Sequence, residues 1–120
     1  MAGSGNLGIK RLINAFGFSM QGFKAAYKHE EAFRQEVFVL ALAVPLAIWL
    51  GEGAIEIILL IGSILLLLIV ELLNSAIEAT VDRFGGEIHE LSGRAKDMGS
   101  AAVLVASITA AMVWLLILVN

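Results

Sequence analysis

A chain of 120 residues without a single cysteine excludes a disulfide framework and any thiolate site. Hydrophobic residues make up 59% and charged residues 16%, which excludes an ordinary soluble domain. The formal net charge of −3 carries little information, because the charges are segregated along the chain, and no nucleic-acid partner is expected.

The N-terminal "GSGNLG", residues 3 to 8, matches G-x-G-x-x-G, but no strand precedes it and no βαβ unit follows, so a flexible tail is the expectation. No Walker-type loop and no zinc-ligand spacing occurs. The first thirty residues hold four basic residues and lack the 7–15-residue apolar core of a signal peptide. Leu12, Ile13, Phe16, Met20, Phe23 and Tyr27 fall within about a quarter of a helix circle, and Lys10, Asn14, Gln21, Lys24 and Lys28 fall opposite, with Phe18 out of pattern. An amphipathic helix over about 6–28, lying in the cytoplasmic interface, is expected from this pattern. The alternative is a helix packed on the protein's own loops.

Three apolar runs follow. Val37 to Leu50 is uncharged, and Ala32 and Phe33 extend it backward; Ile57 to Val70 is uncharged and continues through Leu72, Leu73 and Ala76. Met98 to Val119 is twenty-two residues without a charge. A spanning helix needs about 20 apolar residues. Spans over about 31–50, 55–84 and 94–119, with cytoplasmic extensions, are therefore expected, in one domain covering 1–120. A soluble domain of this size would have to bury all three runs. All Lys and Arg precede the first span or lie between the second and third, whereas the loop "GEGAIE" holds only Glu52 and Glu56. The positive-inside rule then places the N-terminus in the cytoplasm of a bacterial inner-membrane protein.

The stretch "VELLNSAIEATVD", residues 70 to 82, ends the second run with polar residues. Glu71, Asn74, Ser75, Glu78 and Asp82 lie on one helix face within about 100° of arc. Leu72, Leu73, Ala76, Ala79 and Thr80 lie on the other. If the span starts near Glu56, Glu71 lies about 22 Å into a core of about 30 Å. A carboxylate there costs on the order of 3 kcal/mol, so a function is expected of it. Asn74 and Ser75 are equally suited to interhelical hydrogen bonding. Glu30, Glu31, Arg34, Gln35 and Glu36 crowd the start of the first span, and "GRAKDMGS", 93 to 100, brings Arg94, Lys96, Asp97 and Ser100 to the same level. Glu30 and Arg34 have the spacing of an ion pair. Carboxylates from two helices with basic residues nearby suit a hard cation such as Mg²⁺ and a phosphate-rich ligand. Phosphoryl transfer to an alcohol at the membrane interface needs that set. Ala102, Ala106 and Ala110 form a small-residue packing face on the third span.

"EAFRQE" at 31 to 36, "ELLNSAIEATVDR" at 71 to 83 and "HELSGRAKDMGSAAVL" at 89 to 104 resemble the small prokaryotic integral-membrane diacylglycerol kinases, from about Arg11 to the C-terminus. The resemblance implies an all-α membrane fold, a domain-sharing homotrimer with an interfacial helix and three spans per subunit, and ATP-dependent phosphorylation of diacylglycerol to phosphatidic acid with Mg²⁺. It implies that Glu71 is the general base with Asn74 beside it, and that Glu30 and Glu78 hold the metal with ATP. Arg11, Lys96, Asp97, Glu87, Ile88 and His89 match nucleotide-site positions, Ile88 through its backbone alone. Phe18 also falls in the nucleotide region, where the family has tyrosine. Arg11, Phe33, Arg34, Gln35, Glu36, Trp49, Glu71 and Ser100 match positions that line the lipid site. Undecaprenol kinases of the same family are the nearest alternative. A small proton-coupled transporter is the alternative from another class, but its key carboxylate would be expected near the midplane. A purely structural membrane protein leaves Glu71 unexplained.

Overall fold

A computed structural model describes residues 8–84 and 89–120. The described chain is all-helical: α1 (Ile9–His29), α2 (Glu31–Leu50), α3 (Ala54–Asp82) and α4 (Glu90–Val119). The last three are each long and apolar enough to cross a membrane. Helix α4 starts before the uncharged run, at Glu90, because the polar "ELSG" segment is helical too.

The connections are short, and each has a local cause. Between α1 and α2 only Glu30 leaves helical geometry, with φ −118° and ψ 108°. Its N–H still donates to the Ala26 carbonyl at 2.9 Å, so it caps α1 while it opens α2. The α2–α3 turn uses Gly53 at φ 90°, a conformation that favours glycine, and Glu56 Oε1 accepts from the Glu52 N–H at 3.0 Å. The acidic loop is therefore partly consumed in starting α3, where a carboxylate also suits the helix dipole.

Helix α3 is the centre of the molecule and packs most extensively on α4, then on α2. Its buried face runs Leu60, Ser63, Ile64, Leu68, Glu71 and Asn74. Ala43 of α2, Ile64 of α3 and Ala110 of α4 meet in one apolar cluster; Ala26, Phe33 and Leu68 meet in another, nearer the elbow. Trp114 Nε1 donates to the Leu60 carbonyl at 3.0 Å and fixes the axial register of α4 on α3. Trp114→Phe loses that bond and one ring of the indole; a loss of about 1–3 kcal/mol, read as faster thermal inactivation in detergent, is expected.

Within the chain, α4 closes on its neighbours through part of the alanine repeat, a face equally suited to contacts between subunits. Gly99, Ala106 and Ala110 are buried, while Ala102 is exposed. The buried trio shares one arc of the helix, and Ala102 lies about 60° off it. On α1, the apolar residues Leu12, Ile13, Phe16, Met20, Phe23 and Tyr27 are all exposed, as is Phe18.

Candidate functional site

The C-terminal half of α3 places the polar stripe on the same face that, further toward its N-terminus, forms the apolar seam. Burial fades along it. Glu71 and Asn74 are 4% and 8% exposed, Ser75 and Glu78 are half-buried, and Asp82 is exposed. The antiparallel packing brings the start of α2, the elbow and the start of α4 to this end. Glu30, Glu36 and Glu78 all lie within electrostatic range of Glu71, so three elements contribute carboxylates to one neighbourhood.

Ser75 Oγ donates to Glu71 Oε2 at 3.2 Å. The serine therefore orients the carboxylate within its own helix and is not interhelical glue. Two buried oxygens, Glu36 Oε1 and Asn74 Oδ1, have no hydrogen-bond partner. Beside this cluster a cleft of about 330 Å³ is lined by Glu30, His29, Ala26, Leu72 and Ser75, among others. It runs between the elbow and α3. A larger, almost wholly apolar groove of about 880 Å³ adjoins α1, α2 and α3, lined by Phe33, Val37, Leu40 and Leu68 with Phe23 and Tyr27.

Arg34 does not pair with Glu30. Its Nη1 donates to the carbonyls of Tyr27 at 2.8 Å and Lys28 at 3.2 Å. Because Glu30 is extended rather than helical, the i, i+4 geometry of the expected pair is lost, and the guanidinium instead satisfies the open carbonyls at the end of α1. Arg34→Gln is expected to loosen this elbow by about 1 kcal/mol, read as roughly fivefold faster hydrogen exchange at the Glu30 amide.

Lys96 Nζ lies 3.1 Å from Asp82 Oδ1, an exposed ion pair that ties the start of α4 to the end of α3 at the mouth of the site. His89 is the N-cap of α4, its Nδ1 accepting from the Leu91 N–H at 3.0 Å. Asp97 and Ser100 are exposed on α4, Gln35 is exposed on α2, and Phe33 is buried in the core under the elbow. Three residues stand apart. Trp49 is 79% exposed at the far end of α2. Arg11 and Phe18 lie well along α1, Arg11 about 28 Å from Glu30 measured on the helix axis. Glu87 and Ile88 lie outside the described residues.

The sequence reading missed Gly99, whose backbone packs directly on the Asn74 side chain. Only a tertiary contact reveals it. It also missed Ser75 as the partner of Glu71, although their i, i+4 spacing was a usable signal.

Fold and site together define a small protein whose described residues are helical, with three helices long and apolar enough to cross a membrane and a cleft beside a group of carboxylates at one end of them. Residues 17–118 match the family described as prokaryotic diacylglycerol kinase. The diacylglycerol kinase of Escherichia coli is 58% identical over 111 residues, covering 92% of this chain and 91% of that protein. That of Haemophilus influenzae is 54% identical over 107 residues, covering 89% and 91%. That of Pseudomonas aeruginosa is 51% identical over 116 residues, covering 97% and 94%. The chain belongs to the prokaryotic diacylglycerol kinases, a family of lipid kinases.

Proposed function

We propose that this protein transfers the γ-phosphoryl group of ATP to the primary hydroxyl of diacylglycerol, giving phosphatidic acid, with Glu71 as the general base. The observation that carries the reading is the buried Glu71, oriented by Ser75 and flanked by carboxylates at the end of an apolar span. An alcohol anchored in the membrane interface reaches that depth, and one oxygen of the Glu71 carboxylate is left free of the serine to receive its proton. In-line transfer is otherwise a matter of positioning and charge neutralisation.

The donor set fits Mg²⁺. Glu30 and Glu78 offer hard carboxylate oxygens within electrostatic range of the base, and among the described residues no group of three or more His, Cys, Asp and Glu could hold a metal by itself. Two carboxylates completed by substrate phosphates and water are what this ion prefers. When bound, it would offset the charge of the β- and γ-phosphates. Glu30 enters from the elbow and Glu78 from α3, so the two ligands are set by the α1–α2 junction and by the stripe. Lys96 and Asp97, at the start of α4, meet the nucleotide from the cytoplasmic side, and His89 holds the helix that carries them. Glu87 and Ile88 are proposed for the same nucleotide site.

Arg34, Gln35 and Glu36 flank the entry of the lipid headgroup, Phe33 lines the apolar groove beneath it, and Ser100 of α4 contributes to the same lipid site. Trp49 is too far along α2 for the head and contacts an acyl tail instead. Phe18 is one helical turn from Gly22, which lines the cleft, whereas Arg11 is too far from Glu30 to serve the same chain's cleft. That distance supports a homotrimer in which α1 of one subunit serves a neighbour's nucleotide site. The exposed apolar side of α1 supports its lying in the interface of the inner membrane, with the N-terminus cytoplasmic.

The test is a coupled assay of the purified protein in mixed micelles with Mg-ATP. Phosphatidic acid formed from diacylglycerol is the expected product. Turnover of undecaprenol alone would keep the chemistry and change the substrate. No ATP-dependent lipid product from folded protein would overturn the reading in favour of proton-coupled transport.

A further inference from the structure

Four glycines besides Gly99 lie within the described helices, and a Cβ added to Gly17, Gly22, Gly62 or Gly93 would meet nothing within 4 Å. Gly99 differs. A Cβ there would collide with Oδ1 of Asn74 and come within 3.3 Å of its Cγ. A glycine inside a helix costs about 1 kcal/mol relative to alanine. Here the missing side chain lets α4 close on the Asn74 amide where it stands; a methyl group would require that amide, the far end of a flexible side chain, to move. Both residues are buried, and Asn74 Oδ1 has no hydrogen-bond partner. That oxygen is therefore held against α4 by shape alone.

Asn74 lies one helical turn from both Glu71 and Glu78 on the same face of α3, and none of the three is among the residues that line the cleft. Asn74 stands between the base and a carboxylate proposed for the metal. We infer that Gly99 is a positioning residue for Asn74, and that through the Asn74 amide it governs turnover rather than substrate binding. The inference rests on the kinase reading above. Relieving the collision requires moving the amide by about 1 Å, and misplacement on that scale costs up to about a hundredfold in rate.

The experiment compares wild type, Gly99→Ala, Asn74→Ser and the double variant in the full-length protein, with Mg-ATP and diacylglycerol in mixed micelles. Gly99→Ala is expected to lower kcat about tenfold or more, with KM for both substrates within about twofold. In the Asn74→Ser background, where the shorter side chain leaves room for a methyl group, the same change is expected to cost less than about twofold. Selective ¹⁵N-asparagine labelling gives a readout that packing elsewhere would not move. Of the four asparagines, at positions 6, 14, 74 and 120, the side-chain amide signal of Asn74 is expected to shift most in Gly99→Ala.

Wild-type kcat in Gly99→Ala, or an equal fold-loss in both backgrounds, would overturn the inference. So would an unshifted Asn74 amide signal, even if Gly99→Ala lost activity through instability. Wild-type turnover in Asn74→Ser with an unchanged pH profile would remove Asn74 from the chemistry and overturn the inference while leaving the role of Glu71 standing. A wild-type protein without lipid kinase activity is the separate result that would sink the underlying reading.

Discussion

Glu71→Gln is expected to lower kcat by about 10²–10⁴, the range that a positioned general base supplies. That corresponds to about 2.7–5.4 kcal/mol of transition-state stabilisation. The amide keeps the shape of the side chain and still accepts from Ser75 Oγ, so the bundle has no reason to unfold. It has no oxygen basic enough to take the proton of an alcohol. KM for Mg-ATP is expected to change little, because Glu71 sits deeper than the nucleotide edge. Ser75→Ala removes only the orienting bond, and a loss below about tenfold is expected from it. Steady-state kinetics in mixed micelles, with circular dichroism and thermal inactivation as fold controls, separates the two. A Glu71→Gln protein that keeps wild-type turnover would rule out its role as base.

Glu78→Gln and Glu30→Gln are expected to fail differently. Each removes one of two protein carboxylates proposed for the metal, so the Mg²⁺ concentration for half-maximal rate is expected to rise by about tenfold or more. Saturating Mg²⁺ is then expected to restore part of the lost rate, which it cannot do for Glu71→Gln. Mn²⁺ bound in the presence of ATP, followed by electron paramagnetic resonance, reports the same affinity without turnover. Unchanged metal dependence in both variants would remove these carboxylates from the metal site. The contrast is useful because the three glutamates lie so close together that loss of activity alone would not distinguish their roles.

The helices were legible because the charges are absent where lipid is expected and present where it ends. The stripe was legible because Glu71, Asn74, Ser75, Glu78 and Asp82 repeat at helical spacing. What the sequence alone did not show was the work of individual partners. Arg34 was expected to pair with Glu30, but the extended backbone at Glu30 takes it out of the helical register that spacing assumes. His89 caps α4 although the usual caps are serine, threonine, aspartate and asparagine, so no capping signal marked the true start of that helix. The alanine repeat on α4 predicted a packing face, and within this chain Ala106 and Ala110 are buried together with Gly99. Glycine gives no pattern of its own, and its use is set by Asn74 on a neighbouring helix, far away in the chain. The stripe was thus readable as one helix face with carboxylates gathered near it. Its second layer, which holds those groups in place, was not.

The elbow at Glu30 has a mechanical consequence. Helix α1 is a rod of 21 residues, about 31 Å long, joined to α2 through a single extended residue. A swing of about 10° about that joint would carry the far end at Ile9 through about 5 Å, as the lever geometry requires, while the joint itself hardly moves. Glu30 is at the fulcrum. If α1 lies on the lipid surface as proposed, the arm can rise and dip with it, and the carboxylate proposed for the metal is placed at the one point of the arm where such movement is smallest.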